Sequence, residues 1–192
     1  MRSLILILAS CFTCVTTLAN PLEEIVVTAS RSEQRVGDLS TNISTIDNDI
    51  LESVSHRHIN EVMQRISGTW ISRGNGQEHL TAIRSPVLTG AGGCGAFLMT
   101  QDGISLRAAG FCNVNQLFES HSEVAERIEV IKGPGSASHG SNAMHGLINI
   151  ITPTIASPGT NMQFEAGSYE YYRLKLDHSV ENWRVDFSGT SE

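Results

Sequence analysis

The spacing of apolar residues between positions 47 and 68 indicates two short helices. In the second helix four apolar side chains fall at positions i, i+3, i+4 and i+7 of one helical face, and these are Ile59, Val62, Met63 and Ile66. Gly68 follows where such a helix would end. Asp47 is a suitable N-cap for the first helix, whose apolar residues are Ile50, Leu51 and Val54.

Short runs of apolar and β-branched residues on both sides of these helices indicate strands. The predicted strands are 43–46, 69–72, 80–84, 96–101, 104–106 and 147–152. Asp102 and Gly103 form a turn signal between two of them. A helical turn is predicted at 115–119, and 124–132 is predicted to begin as a helix end and continue as a strand. This order of elements predicts a small α+β domain with a mixed sheet and short helices over residues 41–155.

The first 19 residues have the pattern of a secretory signal peptide. Arg2 gives a positive start, an apolar stretch follows from Leu4, and small residues precede a cleavage position after Ala19. Polar residues interrupt the apolar stretch, so the segment is too short to cross a membrane as a helix. A lipoprotein signal with lipidation at Cys11 is the minor alternative.

Removal of this leader would leave two cysteines, Cys94 and Cys112. An even number of cysteines in an exported chain is most simply a disulfide. Closing a loop of this length would stabilise the fold by about 3 kcal/mol in the chain-entropy model. A metal site is the competing interpretation, but no second Cys or His pair with the spacing of metal ligands lies near these two residues.

Charge and motif content exclude several functional classes. The 13 basic and 20 acidic residues give a net charge of −7, which does not suit a nucleic-acid binder. Residues 90–95 match the pattern G-x-G-x-x-G, but a predicted strand follows them where a dinucleotide site needs a helix. No nucleophile motif of a hydrolase is present, so an enzyme is not expected. The seven histidines are mostly explained by a solvated surface, and contact with haem or metal stays open.

Several ordered motifs together resemble a known family. Residues 128–134, 137–143 and 146–152 look like the closing signature of the plug domain of TonB-dependent outer-membrane receptors. Three further segments are similar to earlier motifs of this domain: 66–69 to a Pro-Gly-Val-like helix end, 83–85 to an Ile-Arg-Gly motif, and 98–103 to an apolar strand followed by an Asp-Gly turn. The resemblance covers roughly residues 23–152. It implies energised uptake of a scarce nutrient, most often a ferric siderophore, in the outer membrane of a Gram-negative bacterium, without a cofactor.

The resemblance also implies a partner for the amino-terminal segment. Residues 24–29 are similar to the TonB box of the family, in a linker region over 20–40. They are expected to pair with TonB, and through it indirectly with ExbB and ExbD, by adding a strand to its sheet. The residues concerned are Glu24, Ile25, Val26, Val27, Thr28 and Ala29. From composition alone, an N-terminal edge strand of the domain itself is the simpler alternative.

In the family, two arginines of the plug face carboxylates of the barrel wall. The resemblance assigns this role to Arg84 and Lys132. Lys132 replaces the usual Arg and could make a charge contact with a carboxylate but not a bidentate one. Ser85 stands where the family has Gly and would be strained at a positive φ. The Gly-rich loops 74–79 and 85–95 are expected to face the ligand. The residues selected in these loops are Asn75, Gln77, His79 and Thr89.

The remaining residues, 160–192, alternate between apolar and polar side chains. This pattern, with Tyr and Trp, predicts the first one or two antiparallel strands of a transmembrane β-barrel. Barrels of this family have about 22 strands, more than this chain can supply, so the chain is expected to be a fragment that does not transport alone. A soluble periplasmic domain that binds TonB or a ligand without a barrel is the alternative. An exported enzyme using the Gly-rich loop is poorly supported.

Overall fold

The structure is a computed structural model that describes residues 25–26, 34–76, 79–86, 97–106, 120–135, 137–141, 143–154, 159–181 and 183–191. Its strands and helices in chain order are β1 (Ile25–Val26), β2 (Gln34–Arg35), β3 (Ile43–Ile46), α1 (Asn48–Val54), α2 (Ile59–Met63), β4 (Thr69–Arg73), β5 (His79–Ile83), β6 (Phe97–Gln101), β7 (Ile104–Ser105), β8 (Arg127–Lys132), β9 (Gly146–Ile151), β10 (Gly159–Ala166), β11 (Tyr172–Val180) and β12 (Trp183–Ser191). Single 3₁₀ turns occupy Val36–Asp38, Ser122–Val124 and Ala137–His139.

A five-stranded mixed sheet forms the core of the first domain. Its strand order is β3-β8-β9-β6-β7, with β6 and β9 parallel and the other pairs antiparallel. Strands β8 and β9 are buried along almost their whole length, as expected for strands covered on both faces, and β8 buries the charged residues Glu129 and Lys132 beside its apolar ones. Val130 and Ile148 lie opposite each other in the register, and both are fully buried. The predicted α+β fold class with a mixed sheet is confirmed.

Both predicted helices are present and pack on this sheet. The Asp47 side chain caps α1 by accepting a hydrogen bond from the Ile50 amide at 3.1 Å, as predicted. The apolar face of α2 is buried against the sheet, together with Ile66. The apolar period runs from Ile59 to Ile66, but the regular helix α2 ends at Met63. In the part of the chain that the structure describes, no helix is both long and apolar enough to span a membrane.

Two local predictions need correction. The predicted strand within 124–132 is present as β8, but the segment before it is a single 3₁₀ turn at Ser122–Val124 and not the predicted end of an α-helix. The positive φ near Ser85 belongs to its neighbour Arg84, at 49°, so Ser85 carries no such strain. The helical turn predicted at 115–119 lies outside the described residues.

The last part of the chain forms a separate three-stranded antiparallel sheet in the order β10-β11-β12. The sequence predicts one or two strands here, and the structure has three. Tyr169 and Glu170, both at positive φ, turn the chain between β10 and β11 within the alternating residues 160–192. Local alternation continued on both sides of this turn and therefore concealed it.

The two faces of this sheet differ in chemistry. The register aligns Met162 with Leu176 and Leu176 with Phe187, and all three are exposed on one face. The opposite face aligns polar rows, and this face lies toward the first domain. The rows are Glu165–Arg173–Thr190, Gln163–Lys175–Ser188 and Asn161–Asp177–Asp186. The three-stranded sheet therefore directs its polar face inward and its apolar face outward.

Candidate functional site

The first domain and the three-stranded sheet meet around one buried cation. Arg173 lies on the polar face of β11, and its side chain is only 1% exposed. A guanidinium in such a position is strongly destabilising unless carboxylates and hydrogen-bond acceptors compensate for its lost hydration. The partners of Arg173 therefore define the contact between the two parts of the chain.

Those partners come mainly from the first domain. Nη1 of Arg173 donates to the Ser55 carbonyl oxygen at 2.6 Å, and Nη2 donates to the His56 carbonyl oxygen at 2.7 Å. Nη2 also lies 3.1 Å from Oε2 of Glu123. Glu165, on the neighbouring strand β10, completes the set at 3.7 Å from Nη1. We call Ser55, His56, Glu123, Glu165 and Arg173 the Arg173 cluster.

Local backbone geometry makes the two carbonyls available. Ser55 ends α1 in the left-handed conformation, with φ 46° and ψ 47°, and its amide donates to the Leu51 carbonyl oxygen at 2.9 Å. The chain leaves the helix at this residue, so the Ser55 and His56 carbonyl oxygens are free of helical amides and can accept from Arg173. The Ser55 hydroxyl donates to Glu165 and ties the same turn to β10.

Glu123 connects the cluster to the third strand. It lies in the 3₁₀ turn before β8, and its Oε2 accepts a hydrogen bond from the Ser188 hydroxyl on β12 at 2.5 Å. Nε2 of His121 is 3.2 Å from the same hydroxyl. Glu165 and Arg173 of the cluster lie on β10 and β11, and the hydrogen bond from Ser188 to Glu123 links the cluster to β12.

The imidazole of His56 supports this turn from inside the first domain. His56 is 1% exposed, and its Nε2 lies 2.9 Å from the Ser122 hydroxyl. Burial, followed by the positive charge of Lys175, lowers the pKa of His56 to about 4. His56 is therefore neutral at neutral pH and adds no second cation beside Arg173.

Polar cavities lie on both sides of the cluster. One, of about 390 Å³, is lined by residues that include Glu52, Lys175, Asp177, Arg184 and Asp186. The other, of about 510 Å³, is lined by residues that include Arg57, His58, His79, His121 and Thr190. An interface of ion pairs and polar cavities can separate at a lower cost than a dry, close-packed core.

Comparison with known proteins agrees with the architecture. The family model of the TonB-dependent Receptor Plug Domain matches residues 35–147, more than half of the 192-residue chain. The chain belongs to this family. The match includes β3 to β8, both helices and the plug side of the Arg173 cluster, while Arg173 itself lies beyond it. The resemblance inferred from the sequence motifs is confirmed.

Individual relatives show how much of a longer protein this chain represents. It is 31% identical over 148 residues to the vitamin B12 transporter BtuB of Vibrio vulnificus (strain CMCP6), which covers 76% of this chain and 23% of the relative. The chain thus spans about a quarter of the length of this transporter.

Two of the solved structures with a similar fold are receptors of the outer membrane or of siderophores. The alcaligin outer-membrane receptor FauA of Bordetella pertussis has a TM-score of 0.64 at 14% identity, covering 87% of this chain and 29% of that chain. The siderophore receptor PiuA of Acinetobacter baumannii has a TM-score of 0.61 at 22% identity, covering 82% and 22% respectively.

The predicted TonB box is described only in part. Ile25 and Val26 form β1 and pair antiparallel with Arg35 and Gln34 of β2. This two-residue ladder is separate from the five-stranded sheet of the plug. Glu24, Val27, Thr28 and Ala29 lie outside the described residues. The two described residues of the segment are therefore not part of the five-stranded sheet.

The two predicted plug cations lie side by side. Nη1 of Arg84 donates to the carbonyl oxygen of Lys132 at 3.3 Å, and Nζ of Lys132 donates to the Ser44 hydroxyl at 2.7 Å. Burial, followed by the charge of Arg84, lowers the pKa of Lys132. Within the described ranges neither cation forms an ion pair with a carboxylate.

The predicted ligand-facing residues are found in different environments. Asn75 is exposed in the turn after β4, whereas Gln77 and Thr89 lie outside the described residues. The prediction that His79 belongs to the loop is wrong. His79 pairs with Arg73 at the start of β5, is 3% exposed, and its ring centroid lies 5.2 Å from that of His58. Early pairing of the β4–β5 hairpin shortens the loop and places this residue inside.

The described residues contain neither the predicted disulfide nor a metal site. Cys94 and Cys112 both lie outside the described residues, so their pairing stays a prediction. No group of three or more His, Cys, Asp or Glu side chains among the described residues is arranged to hold a metal ion.

The Arg173 cluster was not predicted from the sequence. The only signal was that Arg173, Lys175 and Asp177 alternate with apolar residues, which assigns them to the polar face of a strand. Nothing in that pattern reveals that Arg173 alone is fully buried, because its partners Ser55 and His56 lie more than 100 positions earlier in the chain.

Proposed function

We propose that this chain forms the plug and the first wall strands of a TonB-dependent outer-membrane receptor for energised uptake of a scarce nutrient. The main support is the docking of the mixed-sheet domain, through Arg173, on a sheet whose other face is apolar. Alternation of this kind suits a barrel wall with lipid on one side and a plug on the other. A ferric siderophore is the proposed ligand class, since the structurally similar PiuA is a siderophore receptor.

The apolar face argues against the alternative of a periplasmic domain without a barrel. Met162, Phe164 and Phe187 are 66%, 64% and 52% exposed on one face of the sheet. A contiguous apolar surface of this kind is unfavourable in water and is normally covered. Contact with lipid in the outer membrane would cover this apolar face, and a signal peptide at residues 1–19 would direct the chain to export.

The TonB box is proposed to exchange partners during transport. Among the described residues the ladder between β1 and β2 joins two residues of each strand, so little of this pairing is lost when β1 leaves it. Residues 24–29 can then form a longer ladder with TonB by strand addition. In the same receptor, Arg84 and Lys132 are proposed to face wall carboxylates, and Asn75, Gln77 and Thr89 to lie near the ligand.

A substitution in the TonB box tests the function. Val26→Pro is expected to abolish capture of the receptor by the carboxy-terminal domain of TonB, because Pro removes an amide donor from the new ladder. Val26→Thr keeps the amide and the β-branched side chain and serves as the matched control. Capture of the Pro variant at the wild-type level would contradict the proposal.

The disulfide between Cys94 and Cys112 can be tested separately. The intact receptor purified from the outer membrane is expected to show no free thiol at either position after alkylation and mass spectrometry. Two alkylated cysteines in the exported protein would exclude the bridge without affecting the proposal for TonB.

A further inference from the structure

The Arg173 cluster differs in polarity from the contact that the family resemblance implies. That contact places cations on the plug and carboxylates on the wall, as proposed for Arg84 and Lys132. In the Arg173 cluster the cation lies on β11, and the plug supplies the acceptors, which are Glu123 and the carbonyl oxygens of Ser55 and His56. This arrangement is a second contact at a different place on the plug.

We infer that Arg173 is a latch that fixes the α1–α2 turn and the 122–124 turn of the plug to the three wall strands. The inference depends on the proposed function for its biological purpose, since a latch has a use only if the plug moves. The latch itself rests on geometry, because one guanidinium contacts two separate plug segments and a neighbouring strand at once.

The shape of the guanidinium is essential to this role. Its two terminal nitrogens donate to two successive carbonyl oxygens, at 2.6 and 2.7 Å, while they also face Glu123 and Glu165. A lysine ammonium is a single point charge and cannot make this planar, forked set of contacts. Charge alone therefore does not replace Arg173.

The acceptors also decide which part of the plug is held. Two of them are backbone carbonyl oxygens at the left-handed end of α1, so the latch depends on the local fold of 51–56. The β4–β5 hairpin has its own ladder from Thr69–Ile83 to Arg73–His79, and no member of the Arg173 cluster belongs to it. Loss of the latch should loosen 48–58 and 121–125 and leave this hairpin unchanged.

Arg184, on β12 opposite Ser179, provides a matched control. It also points toward the polar side of the sheet, but its partners are Asp186 at 2.7 Å and Asp177 at 3.7 Å, both on the wall strands. Arg184→Gln removes the same charge from the same sheet without removing a contact to the plug that involves Ser55, His56 or Glu123.

Hydrogen exchange of the full receptor, purified from the outer membrane, tests the latch without any ligand or TonB. Arg173→Gln and Arg173→Lys are each expected to speed amide exchange in peptides covering 48–58 and 121–125 by about tenfold or more, because local opening becomes easier. Exchange in the β4–β5 hairpin should stay at the wild-type rate in both variants. Arg184→Gln should leave all of these peptides unchanged.

Three outcomes would overturn the inference. They are wild-type exchange in Arg173→Gln, full restoration by Lys, and an equal effect of Arg184→Gln. If Arg173→Gln also exposes the β4–β5 hairpin, the plug has unfolded globally, and the decision passes to Glu123→Gln. That milder variant is expected to speed exchange about threefold in the same peptides only, and wild-type rates would reject the latch. If Val26→Pro is captured by TonB at the wild-type level while the Arg173 variants show the expected faster exchange, the proposed function alone is rejected.

Discussion

The two sheets of this chain place their apolar residues in opposite directions. In the five-stranded sheet, Ile128, Val130, Ile148 and Ile150 are fully buried under α1 and α2. In the three-stranded sheet, Met162, Phe164 and Phe187 point outward, and the most deeply buried of its described residues is a cation, Arg173. The first sheet is stabilised by its own core, whereas the second depends on what covers its apolar face and on polar contacts to the plug.

This difference explains how a domain can be stable and still separable from its surroundings. Core packing keeps the plug folded, and the contact between the sheets is made of ion pairs, hydrogen bonds and polar cavities. Polar contacts can exchange with water when the plug shifts, but buried apolar surface cannot be exposed without a large cost.

The strongest test of the comparison is to truncate one apolar side chain in each sheet. Ile148→Ala should lower the free energy of unfolding by roughly 2–5 kcal/mol because it leaves a cavity in the plug core. Phe187→Ala, on the outward face, should cost less than about 0.5 kcal/mol in detergent. Chemical denaturation followed by circular dichroism measures both, and equal losses would mean that the second sheet has a core of its own.

Acid should destabilise the plug through His56. Its pKa is about 4 when folded and near 6.5 when unfolded, so between these values only the unfolded chain binds a proton. The stabilising difference is complete above pH 6.5, falls by about 1.4 kcal/mol per pH unit below it, and is lost by about pH 4, on the order of 3 kcal/mol in total. Denaturation at several pH values should show this slope, and His56→Gln should reduce it. An unchanged slope in the variant would assign the acid sensitivity to other groups.

Close packing in the plug sheet can be tested with a single added methyl group. A Cβ at Gly146 would lie 2.5 Å from the Ile131 carbonyl oxygen and 2.8 Å from Cδ1 of Ile83. Gly146→Ala should therefore destabilise the plug by about 2 kcal/mol through overpacking. Gly37→Ala is the control, since nothing lies within 4 Å of the added atom there. Thermal unfolding of both variants decides, and similar midpoints would contradict the packing of β8 against β9.

The smallest expected effect concerns the helix that carries Ser55. Asp47→Ala removes the hydrogen bond to the Ile50 amide and should cost about 1 kcal/mol. Asp49→Ala keeps the cap and changes only an acidic residue in the first turn of α1, so its effect should be smaller. Urea denaturation of the two variants compares them directly, and a larger loss for Asp49→Ala would show that the cap is not the important contact.

Much of the fold could be predicted from local sequence. The period of Ile59, Val62 and Met63 identified α2, and the cap Asp47 identified the start of α1, because both signals act within a few residues. Strands β4, β5, β6 and β9 were located within one residue of their observed starts. The turn between β10 and β11 was not predicted: Gly167 and Ser168 begin it, but the residues at positive φ are Tyr169 and Glu170, which are not typical of that conformation.

The sequence by itself therefore determined the two helices and most strands of the plug, the family and the polar and apolar faces of the strands, because each depends on neighbouring residues. Only the tertiary structure decided that His79 is buried, that Arg84 and not Ser85 has the positive φ, and that Arg173 meets Ser55 and His56. These features depend on backbone atoms and side chains brought together from distant parts of the chain, and a carbonyl oxygen that accepts a hydrogen bond has no signature in the identity of its residue.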